Sequence, residues 1–188
     1  MTTLAPTLST RYFPTTSAWL RDLLLVLSGS WLVALLAQIE IPLMPVPITG
    51  QTFAVLLVGA LLGSKRGAAA MIAYIAQGAM GLPFFAGGGN GLATLTGTTA
   101  GYLVGFIGAA YAVGWLAERG LERSARTSIL PFLVGTVIIY ACGVTWLSIV
   151  LGSFSQAIQF GLLPFWVGDL IKMVLAALVL PMAWKFVK

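Results

Sequence analysis

The sequence lacks histidine and contains a single cysteine, Cys142. Without histidine the chain cannot form a histidine-based catalytic triad or a usual zinc site, and one cysteine cannot form a disulfide framework. Charge is also scarce, since only 8% of the 188 residues are charged, whereas a soluble domain carries about 25%. These absences exclude several enzyme classes and leave too few charges to cover a water-soluble core.

Apolar residues make up 59% of the chain, and its mean hydropathy is +0.99. A membrane-spanning helix needs about 20 largely apolar residues. The sequence therefore predicts an all-α integral membrane protein with six transmembrane helices, at about 23–39, 48–64, 67–84, 97–117, 129–151 and 163–184. No interior stretch is typical of a linker or a repeat, so we predict a short mobile tail over residues 1–18 and one helical domain over 19–188.

The positive charges predict the orientation of these helices. With six spans, nine of the ten cations fall on one side and the tenth, Lys172, lies inside a span; the nine are Arg11, Arg21, Lys65, Arg66, Arg119, Arg123, Arg126, Lys185 and Lys188. Positive charge accumulates on the cytoplasmic side of membrane proteins, so both termini are predicted to be cytoplasmic. This distribution accounts for the net charge of +5 without a nucleic-acid partner.

Three connections on the predicted outer side, 40–50, 85–96 and 152–162, carry one charge among them, Glu40. The second contains FAGGGNGL, a glycine-rich stretch centred on Asn90. Uncharged, pliable loops suit segments that fold over a cavity and bring backbone N–H groups close to a ligand. We predict that these loops form a lid; simple turns built from permissive residues are the alternative.

The sixth predicted span contains two ionisable residues, Asp169 and Lys172, three positions apart on one helix face. Such groups are costly in a membrane unless water or partners relieve them, at about 2.5–3.5 kcal/mol each on insertion scales. They predict either a self-neutralising pair that fixes helix packing or a binding site. Gln51 and Asn90 would add amides on the same side.

Nearby aromatic residues favour a small, mostly apolar ligand with a ring and with polar groups at one end. They are Phe84, Phe85, Tyr102, Phe165 and Trp166. Tyr102 and Trp166 are candidate apolar walls of the site, although aromatic residues at the ends of spans also serve as interfacial anchors.

Three stretches resemble the signature motifs of the BioY family, the biotin-specific S components of energy-coupling factor (ECF) importers: PVPITGQTFAVLLVGALLG (45–63), GLPFFAGGGNGLATLTGTTAGYLVGF (81–106) and GDLIK (168–172). The family usually reads GPTGGYL where this chain has GTTAGYL, so Thr98 and Ala100 are departures. The resemblance implies a six-helix S-component fold in the bacterial plasma membrane, with biotin as transported ligand and no cofactor. It also implies a transmembrane coupling protein and two cytoplasmic ATPases as partners, besides membrane lipids.

The resemblance also implies which residues bind biotin. Asp169, Lys172 and Asn90 match the binding positions of the family, and Gln51 is a weaker match. We expect Asp169 to accept a hydrogen bond from a ureido N–H, with Asn90 against the same ring. Lys172 could donate to the ureido oxygen or hold Asp169. The carboxylate of biotin would meet loop N–H groups and hydroxyls, with Gly88, Gly89, Thr49, Thr94 and Thr96 as candidates.

Small residues on the first span, in SGSWLVALLAQ, predict close approach of another helix. In the family such a face docks the coupling protein, a role that the resemblance assigns to Ser30, Ala34 and Ala37. Packing within the chain itself is the alternative.

Other functions are less well supported by the sequence. A buried Asp and Lys could do acid–base work in an intramembrane enzyme, but the sequence has no second carboxylate at helical spacing, no histidine and no Gly-x-Ser-x-Gly elbow. A channel would need polar residues through the whole bundle. GSKRG lacks the spacing of a nucleotide-binding loop. A self-sufficient secondary transporter coupled to protons through Asp169 is the main alternative. Affinity, oligomeric state, the loop that gates the site and a lipoate-like ligand stay open.

Overall fold

The computed structural model describes residues 3–185, and within that range the chain forms eight α-helices and one two-stranded sheet. The elements are α1 Leu4–Tyr12, α2 Ala18–Ala37, β1 Glu40–Ile41, β2 Ile48–Thr49, α3 Gln51–Leu62, α4 Ser64–Ala79, α5 Ala100–Ala117, α6 Ala125–Leu151, α7 Phe154–Gly161 and α8 Trp166–Lys185. The strands pair antiparallel, with Glu40 opposite Thr49. The prediction of an all-α chain is confirmed.

Local signals explain where several helices begin. Ser17 caps α2, because its hydroxyl accepts a hydrogen bond from the Leu20 N–H at 3.4 Å. Between α3 and α4 there is room for one residue only, Gly63, whose φ of +88° favours glycine. The carboxylate of Glu118, the residue that follows α5, then accepts from the Ser64 N–H at 2.8 Å and so caps the start of α4.

The bundle is built around α5, which packs against α3, α4 and α6. Close approach depends on small residues: a Cβ at Gly59 of α3 would lie 2.7 Å from the carbonyl oxygen of Ala110 on α5. On the other side of α5, a Cβ at Gly101 would lie 2.6 Å from the carbonyl oxygen of Cys142 on α6. Glycine therefore lets the backbones of three helices meet, as is common in membrane bundles.

The surface of the bundle is strongly apolar. Large exposed side chains follow α2, α6 and α8, among them Leu24, Trp31, Leu35, Val137, Ile149, Ile171 and Leu178. A water-soluble monomer rarely leaves such extended apolar surface uncovered. Together with the small number of charges, this surface shows that the protein is embedded in a membrane.

Each of the six predicted spans overlaps one helix: α2, α3, α4, α5, α6 and α8 in that order. Among the described residues, three helices are long and apolar enough to cross a membrane, namely α2, α5 and residues 126–151 of α6. Helix α7 and residues 166–182 of α8, which are bent by 50° relative to each other, would together make a fourth. Helices α3 and α4 are shorter, with 12 and 16 residues. The count of six spans and the cytoplasmic position of both termini stay predictions.

The stretch predicted as a mobile tail contains helix α1. Leu4 and Pro6 are buried, and α1 packs against α3. This part of residues 1–18 therefore belongs to the packed body, while a domain boundary after residue 18 stays a prediction.

Candidate functional site

A cavity of about 260 Å³ lies among α3, α5, α6 and α8, beneath two loops. We call residues 83–91, from the glycine-rich loop, the roof segment. The cavity is lined by Pro45, Val46, Pro47, Thr49, Gln51, Thr52, Phe85, Ala86, Gly89, Thr94, Thr98, Thr99, Tyr102, Leu103, Phe106, Tyr140, Phe165 and Lys172. A mainly apolar wall with a few convergent polar groups is typical of a small-molecule site, and the volume is near the lower end of the usual range of about 300–1,000 Å³.

Asp169 is buried and Lys172 is partly buried, and the two form an ion pair beside this cavity, which we call the buried pair. Lys172 Nζ lies 2.9 Å from Asp169 Oδ1, and the two side chains are 21% and 7% exposed. The other oxygen of Asp169 accepts a short hydrogen bond from the Tyr140 hydroxyl. Thr52 Oγ1 donates to Asp169 Oδ1 at 3.1 Å, and Lys172 also donates to the Thr49 carbonyl at 2.9 Å. Both charged groups thus have hydrogen-bond partners within the protein, as buried charges require.

The pair reaches the cavity unequally. Lys172 lines the cavity directly. Asp169 does not line it, but Thr52 and Tyr140, whose hydroxyls donate to Asp169, do. All three Lys172 N–H groups are used, on Thr49, Thr52 and Asp169. Of the two roles left open for Lys172, the structure shows the contact with Asp169. A ligand can reach the carboxylate by exchanging one of these internal hydrogen bonds for its own.

Gln51 also lines the cavity, but its amide is engaged within the protein. Its Oε1 accepts from Thr49 Oγ1 at 2.9 Å, and its Nε2 donates to the Tyr74 hydroxyl. Tyr74 in turn donates to the Phe84 carbonyl at 3.2 Å. Gln51 therefore connects the α3 end of the cavity to the roof segment, while its predicted contact with ligand stays a prediction.

The roof segment turns sharply and covers the cavity with Phe85, Ala86 and Gly89. Gly87 and Gly88 have φ values of +61° and +73°, a conformation that favours glycine. Of the predicted loop residues, Gly89 lines the cavity. Gly88 instead gives its N–H to Gln38 Oε1 at 3.0 Å.

Three other predicted residues do not line the cavity in this structure. Asn90 is exposed at the end of the roof segment. Thr96 is also exposed, and its hydroxyl donates to the Ala93 carbonyl at 3.1 Å. Trp166 is 57% exposed, whereas its neighbour Phe165 is 7% exposed and forms part of the wall. Their contacts with ligand stay predictions that require a change in the loops or in side-chain direction.

Tyr102 is placed in the cavity wall, in agreement with one of the two interpretations of this residue. It is 8% exposed, and its hydroxyl donates to the Gly161 carbonyl at 2.8 Å. The hydrogen bond joins α5 to the end of α7 and fixes the aromatic ring against the cavity. An interfacial anchor would instead lie at the surface.

The small residues of α2 face the interior of the chain. Ser30 and Ala37 are fully buried and Ala34 is 7% exposed. The Ser30 hydroxyl accepts from Gln77 Nε2 on α4 at 3.0 Å. None of the three residues is exposed in this structure. The contact of Ser30 with α4 is internal packing of the kind left open above, and docking of a coupling protein through these residues stays a prediction.

Sequence reasoning missed Tyr140, Thr52 and Thr98. Tyr140 carries a hydroxyl within an apolar span, and such a group needs a buried partner, which is a signal that could have been used. Thr98 replaces the proline that the family usually has, and its hydroxyl donates to the Pro45 carbonyl at 2.8 Å. This bond joins the two loops that cover the cavity, and a proline could not make it because it has no donor.

Comparison with known proteins gives consistent matches. The model of the BioY family matches residues 6–188. The biotin transporter BioY of Rhizobium etli is 40% identical over 169 residues, which cover 84% of this chain and 90% of the relative. The biotin transporter BioY of Thermotoga maritima is 43% identical over 155 residues, or 82% of this chain and 86% of the relative.

The fold also matches a solved structure, the crystal structure of the S-component for biotin from an ECF-type ABC transporter. The TM-score is 0.74 at 25% sequence identity, over 91% of this chain and 95% of that chain. The likeness extends over nearly the whole of both chains.

Proposed function

The chain belongs to the BioY family, and we propose that it captures biotin with high affinity at the outer face of the bacterial plasma membrane as the substrate-specific component of an ECF-type importer. The observation that carries this proposal is the buried Asp169–Lys172 pair beside a small, largely apolar cavity. Biotin is cargo in this role, so no cofactor is involved and the protein performs no catalytic step.

The chemistry of the site fits the chemistry of biotin. A ureido ring offers two N–H donors and a carbonyl acceptor, and Asp169 and Lys172 offer one acceptor and one donor in return. The apolar faces of the fused rings would lie against aromatic residues such as Tyr102, Phe106 and Phe165. The carboxylate would meet the hydroxyls and N–H groups of the covering loops, where Thr94 and Gly89 border the cavity.

The partners proposed are a transmembrane coupling protein and two cytoplasmic ATPases. The solved relative is named as a component of an ECF-type ABC transporter, which favours this assembly over a self-sufficient secondary transporter. Six spans with both termini inside agree with the cations, because Lys65, Arg66 and Arg119 all lie at one end of the bundle, at the α3–α4 turn and the end of α5.

The test is a direct one. The protein is purified in detergent, the small molecule that accompanies it is identified by mass spectrometry, and biotin binding is then titrated. Lipoate is the matched control, since it has a similar carboxylate-ended tail but no ureido group. We expect biotin to bind saturably and at least thirtyfold more tightly than lipoate, about 2 kcal/mol, because lipoate has no ureido N–H or carbonyl to exchange hydrogen bonds with Asp169 and Lys172. Equal binding of the two, or no binding of biotin, would contradict the proposal.

A further inference from the structure

Gln38, at the end of α2, touches the roof segment from outside the cavity. Its Nε2 lies 3.3 Å from the carbonyl oxygens of Pro83 and of Phe85. Its Oε1 accepts from the Gly88 N–H at 3.0 Å. One side chain therefore holds both the beginning and the middle of the roof segment, 45 to 50 residues further along the chain.

The roof segment depends on such outside contacts for its position. Its internal hydrogen bonds, Phe85 N–H to the Gly89 carbonyl at 2.9 Å and Gly89 N–H to the Ala86 carbonyl at 3.0 Å, fix the shape of the turn. They do not fix where the turn sits relative to the helices. That position decides whether Phe85, which is 2% exposed, stays over the cavity.

Gln38 itself is not part of the cavity wall, and none of the lining residues comes from α2. It can therefore act on a ligand only through the roof segment. We infer that Gln38 is a positioning residue that latches the roof segment to the end of α2 and thereby slows the entry and exit of the ligand beneath it. This inference rests on the biotin binding proposed above.

The setting of Gln38 makes the latch reversible. The residue is exposed, so water competes for its hydrogen bonds, each of which contributes a net of about 0.5–1.5 kcal/mol in folded proteins. Gln38 also donates to the Ala34 carbonyl at 3.0 Å, which is a helix-end contact. If Gln38 only capped α2, it would not need the Gly88 N–H. The capping role and the positioning role can therefore be separated by measuring how mobile the roof segment becomes when Gln38 is replaced.

The test compares the full chain with Gln38→Met, which keeps the shape of the side chain and removes its amide, in lipid nanodiscs. In ligand-free protein, hydrogen exchange of the amides in residues 85–91 should become roughly three- to tenfold faster, as expected for losing one hydrogen bond. The association and dissociation rates of radiolabelled biotin should rise by a similar factor. The dissociation constant should change less than either rate, because opening of the roof precedes both steps.

Gln77→Met is the matched control, because it removes the amide of another glutamine that hydrogen-bonds between elements. Gln77 on α4 donates from Nε2 to the Ser30 hydroxyl of α2 at 3.0 Å, and its Oε1 accepts from Trp31 Nε1 at 3.1 Å. This variant should leave roof exchange and both rates unchanged. Equal effects of the two variants, or unchanged exchange and rates in Gln38→Met, would overturn the latch. Gln38→Glu, which turns a carboxylate towards the roof carbonyls, should open the roof as Gln38→Met does and provides a second variant if the first does not fold. If the wild type binds no biotin, the proposed function is wrong and the exchange comparison alone decides the latch.

Discussion

Two ion pairs at opposite ends of the bundle have nearly the same length and different surroundings. At the cytoplasmic end predicted from the cations, Arg66 Nε lies 2.8 Å from Asp22 Oδ1, with side chains 36% and 45% exposed. At the other end, Lys172 Nζ lies 2.9 Å from Asp169 Oδ1, with side chains 21% and 7% exposed. Distance alone would rank the two pairs as equals.

Burial and neighbours separate them. An exposed pair contributes only about 0–1 kcal/mol to stability, because water and salt compete for both charges. Removing one partner of a buried pair leaves the other charge uncompensated, at a cost of about 3–5 kcal/mol. The buried pair also adjoins a cavity and shares the hydroxyls of Thr52 and Tyr140. The comparison therefore predicts that ligand binding depends on one pair and not on the other.

The largest effect is expected for Lys172→Met, which keeps most of the side-chain volume and removes the charge. Asp169 would be left buried without its cation, and the donor that lines the cavity would be lost. We expect biotin affinity to fall at least thirtyfold, about 2 kcal/mol, in a titration of detergent-purified protein. Asp169→Asn should weaken binding to a similar extent.

The double variant Asp169→Asn/Lys172→Met sharpens this result. If the two residues act as one unit, the double variant should lose little more affinity than either single variant. Wild-type affinity in both single variants would show that the buried pair serves packing alone. It would also remove the observation on which the proposed function depends.

An intermediate effect is expected for Tyr140→Phe, which removes the hydroxyl that donates to Asp169. The carboxylate keeps Thr52 and Lys172, so it loses one of three partners. We expect biotin affinity to fall about tenfold, or about 1.4 kcal/mol, since hydrogen bonds to charged groups contribute about 1.5–3 kcal/mol.

Tyr111→Phe is the matched control for that variant, because Tyr111 is 49% exposed on α5 and does not line the cavity. It should bind biotin like the wild type. If both tyrosine variants weaken binding equally, the effect arises from general loss of stability and not from the contact with Asp169.

The sequence predicts some of these features better than others, for physical reasons. The all-α fold follows from long apolar runs, and the proximity of Asp169 and Lys172 follows from helical spacing. Tyr140 reaches Asp169 because of the rotation of α6 about its axis. That rotation depends on packing against α5, and no local sequence pattern predicts it. Ser30 and Ala34 allow close packing of any helix, so the sequence could not distinguish a partner from α4. In this structure both are buried within the chain, and Ser30 contacts Gln77 of α4.

The smallest effect is expected for Asp22→Asn, at the exposed pair. The charge of Arg66 stays hydrated when its partner is lost, because both side chains are about two-fifths exposed. We expect the unfolding free energy to change by less than about 1 kcal/mol and biotin affinity to stay within about twofold, or about 0.4 kcal/mol. Raising the salt concentration should lessen even the small stability difference, since salt screens exposed charges more than buried ones. Thermal unfolding and biotin titration at low and high salt measure both. A loss of affinity as large as that in Lys172→Met would mean that the two pairs do not differ in function, and burial beside a cavity would then be no guide to the site.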